Sequence, residues 1–336
     1  MFRAVKNASL YVGAIIGAGF ASGSEIALFF NGQNIAVVLL AGLLLGGFSG
    51  VFLYIGNSAP AEIRAHDGSF DFFDLFPKRY ARILRSAFFI SALVMLAAMT
   101  AGAESIFREF FGVKHIGIVS LIPAVLIALS RIERLKSLFA ALVAVIAALI
   151  VVLYVKNTAV PAESGLNLLK SVSYTSMNVF LGGYLIVKKE KAEKREIFFT
   201  SFFSALTLTA LLYMIYCVNG AGAGEMPVIE AAASLGYGQT AAVVVFLAVF
   251  STMISTAKSL YRSLVPRFGG LTSAFGIASI ASLVSLVGFS ALVAYAYPAI
   301  GLLSSGFTAI TAVIFIKILM GKNIDFNPLQ KPRGVI

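Results

Sequence analysis

Apolar residues in this chain run in long blocks, without the alternation of half-buried strands or the single stripe of a soluble amphipathic helix. Blocks bounded by charges, Gly/Pro or polar clusters fall near 7–30, 33–57, 81–107, 116–130, 137–155, 169–187, 197–218, 240–261, 272–288 and 291–319. A helix apolar on all sides belongs in a core or a membrane, and about 20 residues span the hydrocarbon layer. The pattern therefore predicts an all-α membrane protein with ten transmembrane helices. Composition agrees, since 59% of the 336 residues are apolar and only 12% charged, against roughly a quarter charged in soluble domains. With short loops and no sizeable extramembrane domain, any function must sit inside the bundle. Cys217, the only cysteine, lies in an apolar run and reads as inert packing.

The formal charge of +11 would suggest a nucleic-acid or anionic-lipid partner if it were spread evenly. It is not. With ten spans, Arg108, Lys114, Lys156 and Lys170 fall on one side and Lys258 inside the eighth span, while the rest of the 26 Lys and Arg lie with the termini. Cytoplasmic loops are enriched in these residues, so both termini are expected in the cytoplasm of a multi-pass cell-membrane protein. The basic charge reports topology, and no nucleic-acid partner is implied. Reading residues 1–23 as a signal peptide, with Arg3 and Lys6 as its basic region, would destroy the even span count.

The first and sixth spans are the most interrupted by small and polar residues, at Gly13 to Glu25 and Ser171 to Asn178. They begin half a chain apart. Five spans per half is an odd number, so the second half must be inverted, the layout in which matching broken helices mark a transporter's binding site. The expected units are a first five-helix repeat over 1–160, a second over 161–320 and a tail over 321–336, with helices 1 and 6 discontinuous. Unwinding at Gly17-Ala18-Gly19 would expose carbonyls suited to a cation and N–H groups suited to a carboxylate. The competing reading makes Gly13/Gly17 and Gly19/Gly23 two small-xxx-small ridges in an unbroken helix. Gly42, Gly46 and Gly50 of the second span have no polar companions and read as packing. In the eighth span the adjacent hydroxyls of Ser255 and Thr256 could supply neutral oxygen ligands to a hard cation, or bond back to their own helix.

Gly17-Ala-Gly-Phe-Ala-Ser-Gly-Ser-Glu25 followed by Phe29-Phe30, with Met95 to Ala103 and Tyr174 to Asn178, resembles the YkvI-like family of bacterial membrane proteins. The chain as a whole resembles the LeuT-type inverted-repeat fold of the amino acid–polyamine–organocation superfamily, within which that family falls. The resemblance implies a coupling sodium ion held by the carbonyls of Gly13 and Ile16, the Thr252 carbonyl, and the Ser255 and Thr256 hydroxyls. It also implies a substrate carboxylate at Gly17 and the amides of Ala18 and Gly19, with Phe20, Ser22, Tyr174, Thr175 and Asn178 lining the pocket. Lys258 departs from the pattern, and its ammonium could replace sodium and make coupling proton-driven.

Glu25 is an intramembrane acid, functional by default, and a straight helix would put it about 9 Å outward of the break. It could meet a substrate ammonium, act in a gate or carry a proton; it could also simply favour a helix N-terminus. Glu104 and Arg108 read as a local surface pair, and Lys258 as a residue that could reach the cytoplasmic interface. Asp67, Asp71 and Asp74 have the spacing of a Mg²⁺–diphosphate site in a membrane prenyltransferase, but no second Asp-rich loop accompanies them. The rival reading makes Phe70, Phe72, Phe73 and Phe76 the lipid face of an interfacial segment. A channel using the same polar break is a further alternative. The expected function is a secondary active symporter of a small amino acid or related zwitterion, sodium-coupled, with no cofactor beyond that ion.

Overall fold

The computed structural model describes residues 1–58, 73, 76, 78–129, 132–156, 165–187, 191–220, 224–268 and 270–322. A helix stands at each expected position, and among the described residues six segments are long and apolar enough to cross a bilayer. The chain starts with α1 (Phe2–Ile15), α2 (Ala18–Ser22) and α3 (Ser24–Phe30), the pieces of the interrupted first span. Then come α4 (Ile35–Ser58), α5 (Lys78–Phe111), α6 (Ile116–Ala128), α7 (Ile132–Lys156) and α8 (Leu168–Ile186). They are followed by α9 (Lys194–Asn219), the short α10 (Pro227–Ser234), α11 (Gly238–Phe268) and α12 (Gly270–Ser285). The last span opens with a turn at Phe289–Ala291 and a π-helical turn at Leu292–Ala296 before α13 (Tyr297–Leu319). Large apolar side chains such as Leu271, Phe275 and Leu283 are exposed along α12. An apolar surface of that extent suits lipid and not water.

The glycines of α4 bring it against α9. A β-carbon at Gly46 would run into the Ala205 backbone, and at Gly42 it would come within 2.5 Å of the Thr209 Cα. Small residues that let two backbones close up are the expected interface of membrane helices, so the packing reading describes α4. Gln33 and Gly165 form a parallel bridge, with Gly165 N–H donating to the Gly32 carbonyl at 2.9 Å. This ties the chain after the first span to the start of α8.

Two expectations need correction. The sixth span is not broken: α8 is continuous from Leu168 to Ile186. Its polar residues reach sideways, Ser171 to the Val37 carbonyl at 2.6 Å and Thr175 to the Ala41 carbonyl at 3.4 Å, while Asn178 donates to the Tyr174 carbonyl at 3.2 Å. Hydroxyls that clasp α4 need no unwound backbone of their own. Second, Phe73 and Phe76 do not face lipid. Both are buried, Phe73 against Phe88 at 5.4 Å and Tyr184 at 5.9 Å, and Phe76 against Phe307 at 5.4 Å. Asp67, Asp71, Asp74, Phe70 and Phe72 lie outside the described residues, as does the tail from 323 onward.

Candidate functional site

α1 stops because Ile16 (φ −73°, ψ 74°) and Gly17 (φ −91°, ψ −167°) leave helical space, and the chain re-enters it at Ala18. The break therefore sits one residue earlier than the Gly17-Ala18-Gly19 stretch suggested. The Gly17 N–H turns to the Ile15 carbonyl at 2.7 Å, so the Gly13 carbonyl loses the donor that a continuous helix would supply. The N–H groups of Ala18, Gly19 and Phe20 open a helix and have no intrahelical acceptor.

A second interruption follows at Gly23, whose φ of +84° is left-handed, a conformation that costs glycine little and other residues more. Asn219 holds it in place, donating from Nδ2 to the Gly23 carbonyl at 2.8 Å. Ser22 and Ser24 are joined through their hydroxyls at 2.8 Å, and Ser24 also donates to the Glu225 carbonyl.

That second bend decides where Glu25 goes. The acid does not stand a straight-helix distance outward; its side chain returns to the break and covers Gly19. A β-carbon at Gly19 would lie 2.6 Å from the Glu25 Cδ. Glu25 is 2% exposed, with the Asn178 amide and the Tyr174 hydroxyl as its polar neighbours. Among the described residues no lysine or arginine pairs with it. Its Oε2 and the hydroxyls of Tyr174 and Tyr297 are sealed from solvent without a partner in hydrogen-bond geometry, although the three interact electrostatically. Tyr174 packs against Phe30 with ring centres 5.0 Å apart and Phe29 at 5.4 Å.

The break thus gathers Gly17, Ala18, Gly19, Glu25, Tyr174 and Asn178. Thr175 turns away toward α4, the Ser22 hydroxyl is spent on Ser24, and Phe20 is fully buried. Tyr297 and Asn219 were not anticipated. A phenol followed by Pro298 in an otherwise apolar run was the available signal for Tyr297, and the π-helical turn just before it is a feature frequent at functional sites.

Of the expected cation ligands, Thr252 sits where α11 meets the break. A β-carbon at Gly17 would lie 3.5 Å from the Thr252 Oγ1 and 3.2 Å from the Met99 Cε. The Ser255 hydroxyl donates to the Thr252 carbonyl at 3.0 Å, and the Thr256 hydroxyl points to Met99 Sδ at 3.8 Å. A donating hydroxyl keeps its oxygen lone pairs, so both can still face a cation. Gly13 also makes a close helix contact, its α-carbon turned to Phe139 with 2.9 Å from a β-carbon to the Phe139 Cβ. Lys258, 9% exposed, carries its ammonium over the Tyr261 ring at 5.9 Å, on the side of the hydroxyl pair away from the break in sequence. Among the described residues no three His, Cys, Asp or Glu gather as a metal centre.

Toward the other end of α5 lies a cavity of about 470 Å³ lined by Glu104, Arg108, His115, Glu225 and Phe289. Glu104 accepts the backbone N–H groups of His115 at 2.8 Å and Gly117 at 3.1 Å. It therefore caps the start of α6, which replaces its reading as a surface partner of Arg108. Phe289 stands between this cavity and the break: a β-carbon at Gly102 would touch the Ala18 Cβ at 3.0 Å and the Phe289 Cδ2 at 3.2 Å.

No family model matches the chain, and no curated protein sequence matches it either. Solved structures do. MHP1, a nucleobase-cation-symport-1 family transporter in a closed conformation with bromovinylhydantoin bound, is similar over 95% of this chain and 78% of its own. The TM-score is 0.62 and the identity 14%. A manganese transporter of Eremococcus coleocola is similar over 95% of this chain and 72% of its own, with a TM-score of 0.46 and 13% identity. The first likeness establishes a shared fold; the second is too loose to carry more.

Proposed function

We propose that this chain is a secondary active transporter that works by alternating access around the break in its first span. The observation that carries the reading is Glu25, a buried carboxylate with no cationic side chain beside it among the described residues, held over a helix interruption in a fold shared with a cation symporter. An isolated buried charge is expensive unless a partner neutralises it, and a carrier supplies that partner as cargo. The substrate is a small solute with a protonated amine, the group that a small amino acid or related zwitterion would present to Glu25. Sodium is the coupling ion, held by the Gly13, Ile16 and Thr252 carbonyls with the Ser255 and Thr256 hydroxyls, whose neutral oxygens suit a hard cation. The loop charge asymmetry supports a cell-membrane location with both termini in the cytoplasm, and the half-chain spacing of spans one and six supports two inverted five-helix repeats.

One observation favours a second coupling mode. Glu25 lacks a counter-ion among the described residues, so a proton could neutralise it between transport cycles; it is a better proton carrier than Lys258, whose ammonium lies over Tyr261. Purified protein in liposomes decides between these readings. The expected result is saturable accumulation of a labelled amine-bearing solute that collapses when the sodium gradient is dissipated. Accumulation that follows an imposed pH gradient instead assigns the coupling to a proton. Flux that neither saturates nor concentrates the solute would mark a channel and overturn the carrier.

A further inference from the structure

The space over Gly19 that a substrate carboxylate was expected to enter is already taken by a carboxylate of the chain itself. A β-carbon at Gly19 would lie 2.6 Å from the Glu25 Cδ, so no second acid group shares that position without displacing the first. We propose that Glu25 stands in for the substrate's carboxylate, and that the solute this carrier takes is an organic ammonium lacking a carboxylate. The inference rests on the carrier reading and narrows its substrate class.

Three features of the surroundings agree with a cationic ligand. Glu25 Oε2 and the hydroxyl oxygens of Tyr174 and Tyr297 are buried without a partner in hydrogen-bond geometry among the described residues, although Asn178 and Tyr174 stand beside the carboxylate, and an alkylammonium offers up to three donors. Tyr174 is flanked by the rings of Phe29 and Phe30 at 5.4 and 5.0 Å, and aromatic faces attract an ammonium through their quadrupole. Among the described residues no lysine or arginine pairs with Glu25, so the positive charge the site requires is left for the ligand to bring. A zwitterion would meet the same acid with its ammonium, but its own carboxylate would then be held near Glu25 in a water-poor site. Like charges so placed repel strongly.

Matched pairs that differ only by a carboxylate test this: ethylamine with alanine, isopentylamine with leucine, phenethylamine with phenylalanine, and ethanolamine with serine. Each is titrated against the purified full chain in sodium buffer by thermal shift, and each is offered as labelled solute to proteoliposomes under an inward sodium gradient. At least one amine is expected to bind roughly tenfold or more tightly than its amino acid. Glu25→Gln should weaken that amine by roughly ten- to hundredfold, the range of a charge-assisted hydrogen bond. Glu25→Ala, which vacates the space over Gly19, should raise affinity for the matching amino acid, a gain that a merely structural Glu25 would not produce. This second variant keeps the test decisive if Glu25→Gln is not monodisperse. Tighter binding of the amino acids to the wild type, or unchanged amine binding in Glu25→Gln, overturns the inference. If amino acids accumulate while amines neither bind nor accumulate, the inference falls and the carrier stands. If amines bind without gradient-driven accumulation, the site stands and the carrier falls. If neither class binds, both fall.

Discussion

Gly19→Ala combined with Glu25→Ala measures the contact on which the site reading depends. The added methyl of Gly19→Ala would sit 2.6 Å from the Glu25 Cδ, where carbon atoms normally keep about 3.5–4.0 Å. Relief means moving the Glu25 side chain by about an ångström in a place where it is 2% exposed. Overpacking of that kind costs about 1–3 kcal/mol. The substitution also removes a glycine from the first turn of α2, worth at most about 1 kcal/mol in the opposite direction. The single variant should therefore lose about 1–2 kcal/mol. In the Glu25→Ala background the obstacle is gone, and Gly19→Ala should be neutral or stabilising by up to about 1 kcal/mol. The coupling between the two sites is then about 1–3 kcal/mol. The assay is denaturant unfolding of the four proteins in one detergent, read by tyrosine fluorescence. Glu25→Gln serves as a control, since it keeps the bulk and should leave the penalty in place. Additivity within about 0.5 kcal/mol, the behaviour of independent positions, would refute the placement of Glu25 over Gly19.

The double change Ser255→Ala/Thr256→Ala should weaken substrate binding in sodium buffer far more than without sodium, because linkage between two ligands is reciprocal; equal effects in both buffers would remove the sodium site. Glu104→Ala should cost about 1–2 kcal/mol of stability by uncapping α6, whereas Arg108→Ala should cost less than about 0.5 kcal/mol. Equal losses in thermal unfolding would restore the Glu104–Arg108 pair. Phe73→Ala should cost about 3–5 kcal/mol, as for a large aromatic removed from a packed core; a loss under about 1 kcal/mol would return that segment to the lipid interface.

Helix positions were legible because they follow from unbroken apolar runs and their charged ends, properties of neighbours along the chain. The interruption of the first span was legible for the same reason: small and polar residues from Gly13 to Glu25 interrupt an otherwise apolar run. The outcome for 171–178 was not. Ser171 and Thr175 would have served a broken helix as well as an intact one, and only the arrival of the Val37 and Ala41 carbonyls on α4 gives them partners that leave α8 continuous. Glu104 likewise found its bonds on His115 and Gly117 rather than on Arg108 one turn away, because the chain reverses after α5 and brings α6 to it. Phe73 and Phe76 had the pattern of a lipid-facing segment until α5, α8 and α13 closed around them.

Glu25 shows the division most clearly. Its identity as an intramembrane acid near a break could be read directly from the chain, but its distance from that break rested on a straight helix. The left-handed turn at Gly23, held by Asn219 from nearly two hundred residues away, folds the carboxylate back over Gly19. Local sequence determines which residues can bend and which must be buried. The partner that holds the bend is a long-range contact, and it alone decides that the chain's own acid occupies the place expected for a substrate's.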